Sequence, residues 1–375
     1  MMTETTFPEH DEPDSLTQEE EADLEAAEPE AKPIAYSGQD FDVDGLIRRL
    51  NNEDILVPNF GHDDEKIQSA GFQRAFVWRR PQMDKFIESI LLGYPIPGVF
   101  LVKQSDARYL VLDGQQRLLT LKFFKDGLYQ GREFALKNVQ NDLKGLTYKT
   151  LPDDLRRIFE NTFIQAIVVT SDGSAQSLDS IYQIFERLNS GGTQLTPHEI
   201  RVALYAGPFI DFLEIVNSQE AWRELYGKRS PRLRDQELIL RIIALLLRGN
   251  EYRRPLKKFL NDTTAENRNN GEQQLEYLRS DIDKASQLIL KSCGRQGLRL
   301  EGSSQVNAAL AEAIFVGLIV SLDSKTSTPQ PHSVRETIEQ IKRDEKMLEA
   351  ISKATADESQ VNLRISIASD YFGGI

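Results

Sequence analysis

The chain has 375 residues, 40% of them apolar and 27% charged, with a formal net charge of −13 at neutral pH. This length can bury a substantial core and suggests roughly two or three domains, and the composition excludes a fibrous or wholly disordered chain. Twelve of the 58 acidic residues but a single lysine lie in residues 1–36, so the remainder is close to neutral and the acidic total does not exclude a phosphate-rich partner.

Residues 1–36 hold few large apolar side chains and a dense run of like charge, which cannot offset the entropy of ordering them; the expectation is a disordered acidic tail. It lacks the basic start and apolar core of a signal sequence. Residues 43–50 predict a short helix, followed by a strand running towards Val57. In "RRPQMDKFIESILLGYPIPGVFLV", Pro81 suits a first helical turn, Met83, Phe86, Ile87, Ile90 and Leu91 share one face, and Gly93 closes the helix. Strands are expected over Val99–Val102 and Tyr109–Leu112, and "DGQQR" then opens another helix. "LPDDLRRIFE" reads as a helix and "FIQAIVVT" as a strand ending near Thr170.

"SLDSIYQIFERLNSGGTQLTPHEIRVALYAG" contains two helices, the first stopped by Asn189, Gly191 and Gly192, the second opened by the capping box of Thr196, Pro197 and Glu199. Beyond it the periodicity is helical throughout. The apolar run from Ala308 to Leu322 carries Glu312 and is too short to span a bilayer, so a buried helix is expected. The fold class is therefore α+β, with an acidic tail at 1–36, a mixed domain at 37–200 and an all-helical domain at 201–375. One cysteine, Cys293, excludes an internal disulfide, and with no export signal the expected address is cytoplasmic.

The stretch "YLVLDGQQRLLTLKFF" admits two readings. In one, Asp113 caps the helix and Gln116 returns a bond to it, Gly114 easing the turn and Arg117 facing solvent. In the other, the strand feeds a helix N-terminus that favours anions, Gly114 lets a ligand approach the backbone, and Arg117 forks onto phosphate while Gln115 or Gln116 adds neutral hydrogen bonds. Asp113 would then take a bound Mg²⁺, or a nucleobase or ribose donor. Upstream, "GFQRAFVWRRP" offers Gln73, Arg74, Arg79 and Arg80 with Trp78 as an aromatic platform or a core residue. Downstream, "FERLNSGGTQL" offers Glu186, Arg187 and Asn189, or an ordinary helix end.

These segments in this order, "FQRAFVW" (72–78), "SILLGYPIPGVFLV" (89–102), "YLVLDGQQRLLTL" (109–121) and "IFERLNSGGTQLTPHEIR" (184–201), resemble the GmrSD restriction-endonuclease N-terminal domain family, with its ParB/sulfiredoxin-like fold. The resemblance covers roughly residues 40–205. It implies nucleoside triphosphate binding and hydrolysis in a system that restricts foreign DNA. It further implies a core of Asp113, Gln115, Gln116 and Arg117, with Gln73, Arg74, Gly114 and Asn189 as nucleotide-binding neighbours. Full-length members usually add a His-Asn-His nuclease domain; here the four histidines are His10, His62, His198 and His332, none paired at ligand spacing, and His198 reads as an early helix residue. The nuclease is thus expected to be absent from this chain, or to act through a partner.

Three functions follow as expectations. The first is an NTP-binding and NTP-hydrolysing sensor with Mg²⁺, in which Asp113 or Glu186 orients water. The second is a binding module without turnover, which contacts DNA through residues 223–258, where eleven Lys or Arg stand against four acids, with the acidic tail competing for that surface. The third is a ParB-like nuclease, for which no carboxylate cluster is evident near the motifs.

Overall fold

The computed structural model describes residues 19–21, 33–57, 78–104, 106–172, 174–188, 195–325 and 328–375. The chain divides into two compact units, one of Glu30–Asp64 with Gly71–Thr193, the other of Met1–Pro29, Glu65–Ala70 and Gln194–Ile375.

The first unit is built on strands β1 (Tyr36–Asp42), β2 (Ile55–Leu56), β3 (Val99–Lys103), β4 (Tyr109–Asp113) and, after a small β5–β6 ribbon (Leu128–Tyr129 and Arg132–Glu133), β7 (Phe163–Thr170). Its five-stranded sheet has the order β1-β7-β3-β4-β2. Pairing is mixed: β1 with β7 and β3 with β4 run antiparallel, while β3 with β7 and β2 with β4 run parallel. The helices are α1 (Val43–Asn51), α2 (Arg80–Leu91), α3 (Gln115–Asp126), α4 (Asp153–Asn161) and α5 (Ala175–Leu188).

The expected elements appear within a residue or two of their predicted ends, and β7 ends at Thr170 as expected. Strand β1 is an addition. Its "YSGQDFD" holds two aromatic residues and no alternation, so only pairing with β7 defines it. The core gathers Leu46 and Ile47 of α1, Met83, Ile87 and Ile90 of α2, and Leu118, Leu121 and Phe124 of α3 against the inward side chains of the strands. Each fully buried Leu, Ile or Phe contributes about 1.5–3 kcal/mol, so three such anchors fix the orientation of α3 on the sheet.

The second unit is helical in its described residues: α6 (Pro197–Leu204), α7 (Pro208–Asn217), α8 (Glu220–Tyr226), α9 (Arg234–Arg248), α10 (Leu256–Asn267), α11 (Glu272–Cys293), α12 (Ala308–Ser324), α13 (Pro331–Arg343), α14 (Glu345–Ala350) and α15 (Glu358–Gly373). The apolar run became the buried helix α12. It packs closely along α15, and Gly317 permits the approach: a Cβ there would stand 2.8 Å from the backbone carbon of Ala368. No described helix is long and apolar enough to cross a membrane.

Most of residues 1–36 lies outside the described residues. Two parts of the expected tail are ordered parts of the fold: residues 19–21 are helical with Glu20 buried, and Tyr36 opens β1. Carboxylate pairing with arginines of the helical unit supplies what apolar burial could not.

Candidate functional site

The turn between β4 and α3 is set by three local constraints. Asp113 ends β4 opposite Phe100, just where the register of β3 against β4 shifts between Phe100 and Leu101. Gly114 is the N-cap of α3 with φ 98°, ψ 6°, a left-handed conformation that a side chain disfavours. A Cβ on Gly114 would also lie 2.4 Å from Val99 Cγ1 and 3.2 Å from an Arg117 guanidinium nitrogen. Both the backbone and the packing therefore demand glycine here.

Asp113 does not cap the helix. With Gly114 at the N-cap, α3 has no side-chain cap, and the Asp113 carboxylate lies one residue too early to reach the first-turn amides. Its partner is Arg117, whose Nη2 donates to Asp113 Oδ2 at 2.7 Å and to the Gly98 carbonyl at 3.0 Å. The capping-box reading of Asp113 and Gln116 is thus replaced. Gln116 Oε1 instead accepts from the Trp78 backbone N–H at 3.2 Å, tying the chain entering α2 to the first turn of α3. Arg117 is not a solvated side chain: it is 16% exposed, against 46% for Asp113, and its Nε is buried without a hydrogen-bond partner among the described residues. The turn thus presents a half-exposed carboxylate, an anchored guanidinium and a helix N-terminus whose cap residue is a glycine side by side, which is chemistry suited to phosphate oxygens and an accompanying cation.

The upstream segment divides. Gln73 and Arg74 lie outside the described residues. Trp78 packs on the core with its ring edge-on to Phe86 at 5.5 Å, which favours the core reading over an aromatic platform. Arg79 donates its backbone N–H to Gln82 Oε1 at the start of α2. Arg80, offered by the sequence as a further basic candidate, is an internal clamp. It bonds Asp84 at 2.8 Å and the Ala135 carbonyl, and its guanidinium lies 3.7 Å from the Phe134 ring centroid. The fully buried Asp84 accepts in turn from the Lys137 and Asn138 backbone N–H groups. This network holds the 134–140 loop, and an Arg-x-x-x-Asp spacing at the helix start was its only signal in the sequence.

Downstream, α5 carries Glu186, half-buried, and Arg187, exposed, and packs against β4, the strand that ends at Asp113. Asn189 lies outside the described residues, as do His10 and His62. The "LTPHEIR" end of the same motif folds into the helical unit, where α6 is buried along its whole length. His198 is completely buried, sharing hydrogen bonds with Gln236 and Arg201, and burial pushes its pKa down to about 3. Glu199 closes the expected box with Thr196 and pairs with Arg232 at 3.1 Å. His198 is therefore a neutral packing residue.

The basic stretch 223–258 is largely matched with acids from elsewhere. Arg223 pairs with Asp235, Arg229 with Glu214, Arg232 with Glu199, Arg234 with Glu20, Arg241 with Glu237, and Arg248 with Glu266. Arg253, Arg254 and Lys258 pair with Glu358, Asp357 and Asp262. Much of the local excess of positive charge is thus paired with acids, while Arg253 and Arg254 stay exposed. Among the described residues, no group of three or more His, Cys, Asp or Glu side chains gathers in a way that could hold a metal ion.

Residues 53–206 match the family model described as GmrSD restriction endonuclease, N-terminal domain. No curated protein and no solved structure matches the chain.

Proposed function

We propose, on the premise that residues 53–206 belong to the GmrSD restriction-endonuclease N-terminal domain family, that the chain is a cytoplasmic NTP-binding and NTP-hydrolysing sensor of a DNA-restriction system. On this reading the mixed unit is ParB/sulfiredoxin-like and holds the triphosphate at the β4–α3 turn. The observation that carries it is the conjunction at one turn of the glycine-specific start of α3 with the part-buried Arg117 anchored on the Gly98 carbonyl. The N-cap residue, Gly114, brings no side chain to that helix end.

Arg117 neutralises phosphate charge while the Gly98 carbonyl holds it in place, and Gln115 and Gln116 orient the ligand by neutral hydrogen bonds. Mg²⁺ accompanying the triphosphate would use Asp113. One half-exposed carboxylate fits that ion, which commonly takes one or two carboxylates plus phosphate oxygens. The exchange is inexpensive, because an ion pair exposed on one side is worth about 1 kcal/mol or less. Asp113 or Glu186 orients the attacking water. Gln73, Arg74 and Asn189 complete the nucleotide contacts.

The test is phosphate release from ATP, GTP, CTP and UTP with Mg²⁺, comparing the wild type with Asp113→Asn and Arg117→Ala variants shown to be folded. Turnover in the wild type that falls at least a hundredfold in both variants supports the reading. Turnover equal in all three overturns it. A second reading, a non-hydrolysing module that acts with a separate nuclease chain, is favoured if binding persists without phosphate release. A ParB-like nuclease gains no support from the described residues, and DNA contact through 223–258 would have to open exposed pairs such as those of Arg253 and Arg254.

A further inference from the structure

The β4–α3 turn opens onto a face of the sheet that the core does not use. Leu101, Ile164, Ala166 and Val168 point into the core gathered by α1, α2 and α3, so the residues alternating with them point to the opposite face. Part of that face is closed, with Val102, Leu110 and Val169 buried and α5 packed against β4. The part level with Asp113 is open. Between the pairs Leu101–Val111 and Phe100–Asp113 the register of β3 on β4 skips Leu112. Without that extra residue Asp113 would stand opposite Val99 on the core face; with it, Asp113 stands beside Phe100 on the open one, the re-aiming that a bulge gives.

The row that starts at Asp113 crosses the sheet through register partners: Phe100 of β3, Ile167 of β7 and Gly38 of β1. Neighbouring strands lie about 4.8 Å apart, so Phe100 and Ile167 follow the carboxylate at one and two strand spacings. Both are half-buried apolar side chains that the core of α1, α2 and α3 does not include. Gly38 is the residue that the fold does not explain. It lies in the extended backbone of β1 without a left-handed φ. Apart from its chain neighbours, among the described residues only the Gln165 amide nitrogen comes near, 4.0 Å from where a Cβ would stand. A side chain would fit and would favour the strand, so glycine here leaves space, as it does where a ligand approaches a sheet. On the same face Tyr36, 72% exposed, bounds the gap on one side and Asp40 on the other, with Gln165 paired to Asp40.

We propose that this open face seats the base of the nucleotide and that the base is a purine, its rings lying over Phe100 and Ile167 and reaching over Gly38, its edge at Gln165 and Asp40. The inference rests on the reading that the β4–α3 turn holds the phosphates, and it names the class of nucleotide held there. The faces of bases stack on apolar and aromatic side chains, while their edges are read by hydrogen bonds. Two apolar side chains on adjacent strands make a floor broad enough for fused rings rather than a single ring. The exposed Gln165 amide both donates and accepts, and the Asp40 carboxylate accepts, which suits the exocyclic amino group and ring nitrogens of adenine or guanine. Uracil offers no amino group to them. The floor adjoins the phosphate turn through Asp113, so one ligand spans both.

The experiment is calorimetric titration of the full chain with Mg²⁺, using non-hydrolysable analogues of ATP, GTP, CTP and UTP alongside inorganic triphosphate, which carries no base. At least one purine analogue should bind about tenfold more tightly than the UTP analogue, a difference of the size that stacking and edge recognition supply. Gly38→Val fills the gap without straining the strand, and Gln165→Leu keeps the volume and loses the hydrogen bonds. Each should weaken the purine analogue at least about fivefold and leave inorganic triphosphate unchanged. Arg117→Ala should weaken both ligands. Purine affinity unchanged in either variant but lowered by Arg117→Ala would overturn the base seat and leave the phosphate turn standing. So would equal affinity for all four analogues, a preference for a pyrimidine, or a loss in these variants that inorganic triphosphate shares equally. If neither an analogue nor inorganic triphosphate binds the wild type, the phosphate reading fails and the base seat with it.

Discussion

Substituting Gly114 by alanine separates the two constraints that shape the β4–α3 turn. The backbone constraint is the φ of 98°, which costs an L-residue about 1–2 kcal/mol. The packing constraint is the new Cβ, 2.4 Å from Val99 Cγ1 and 3.0 Å from Val99 Cβ, where Val99 is 1% exposed and held in the sheet. Overpacking of this kind costs about 1–3 kcal/mol, so the total expected loss is about 2–5 kcal/mol. Gly127, at the other end of the same helix with φ 77° and nothing within 4 Å of an added Cβ, carries only the first constraint. Its alanine variant should lose about 1–2 kcal/mol. Urea unfolding of the two variants gives the difference directly. In a Val99→Ala background the 2.4 Å clash with Cγ1 disappears while the 3.0 Å approach to Cβ stays, so the increment from Gly114→Ala should shrink towards that of Gly127→Ala. If Gly114→Ala costs no more than Gly127→Ala in the wild-type background, the turn is not held against Val99 as described, and the argument that glycine is required there by packing fails.

Removing the Arg80 clamp by Arg80→Ala should cost about 2–4 kcal/mol in denaturant unfolding, since it strips a charged partner from the buried Asp84 and a donor from the Ala135 carbonyl; a loss under about 0.5 kcal/mol would contradict the network. His198 supplies a pH dependence. Its pKa is 6.5 in its ordinary state and about 3 when folded, so the unfolded chain binds the proton first, and stability is full above about pH 6.5 and is lost as pH falls from there towards 3. Unfolding at pH 7 and pH 5 should differ by about 2 kcal/mol from this residue, and a folded His198→Gln variant should lose that part of the difference. An undiminished pH dependence in the variant would show that His198 titrates freely in the folded state.

The elements of the mixed unit were legible because their apolar spacing, prolines and glycines act locally. The β4–α3 turn was legible as a place where a strand feeds a helix, but not its internal pairing. Asp-x-x-Gln spells a capping box, and only the left-handed Gly114 moves the cap by one residue and hands Asp113 to Arg117. Strand β1 left no apolar alternation to read, because it lies at the sheet edge and pairs on one side. The pairing within the basic stretch was not legible for a different reason. Its charges are matched by Glu19, Glu20, Glu199, Glu214, Glu266 and Asp357, and no window of local sequence counts partners that the fold brings from so far. His198 was read correctly as a helix residue from Pro197 and the Thr196 cap, whereas its burial among Arg201 and Gln236 depends on helices that follow it.

The central claim is that the β4–α3 turn binds the triphosphate of a nucleotide, and calorimetric titration with non-hydrolysable analogues of the four triphosphates in the presence of Mg²⁺ tests it most directly. The account predicts saturable binding of at least one analogue, weakened at least tenfold by Arg117→Ala. Absence of binding for all four analogues, or binding that Arg117→Ala leaves intact, would contradict it and return Asp113 and Arg117 to the role of a structural ion pair.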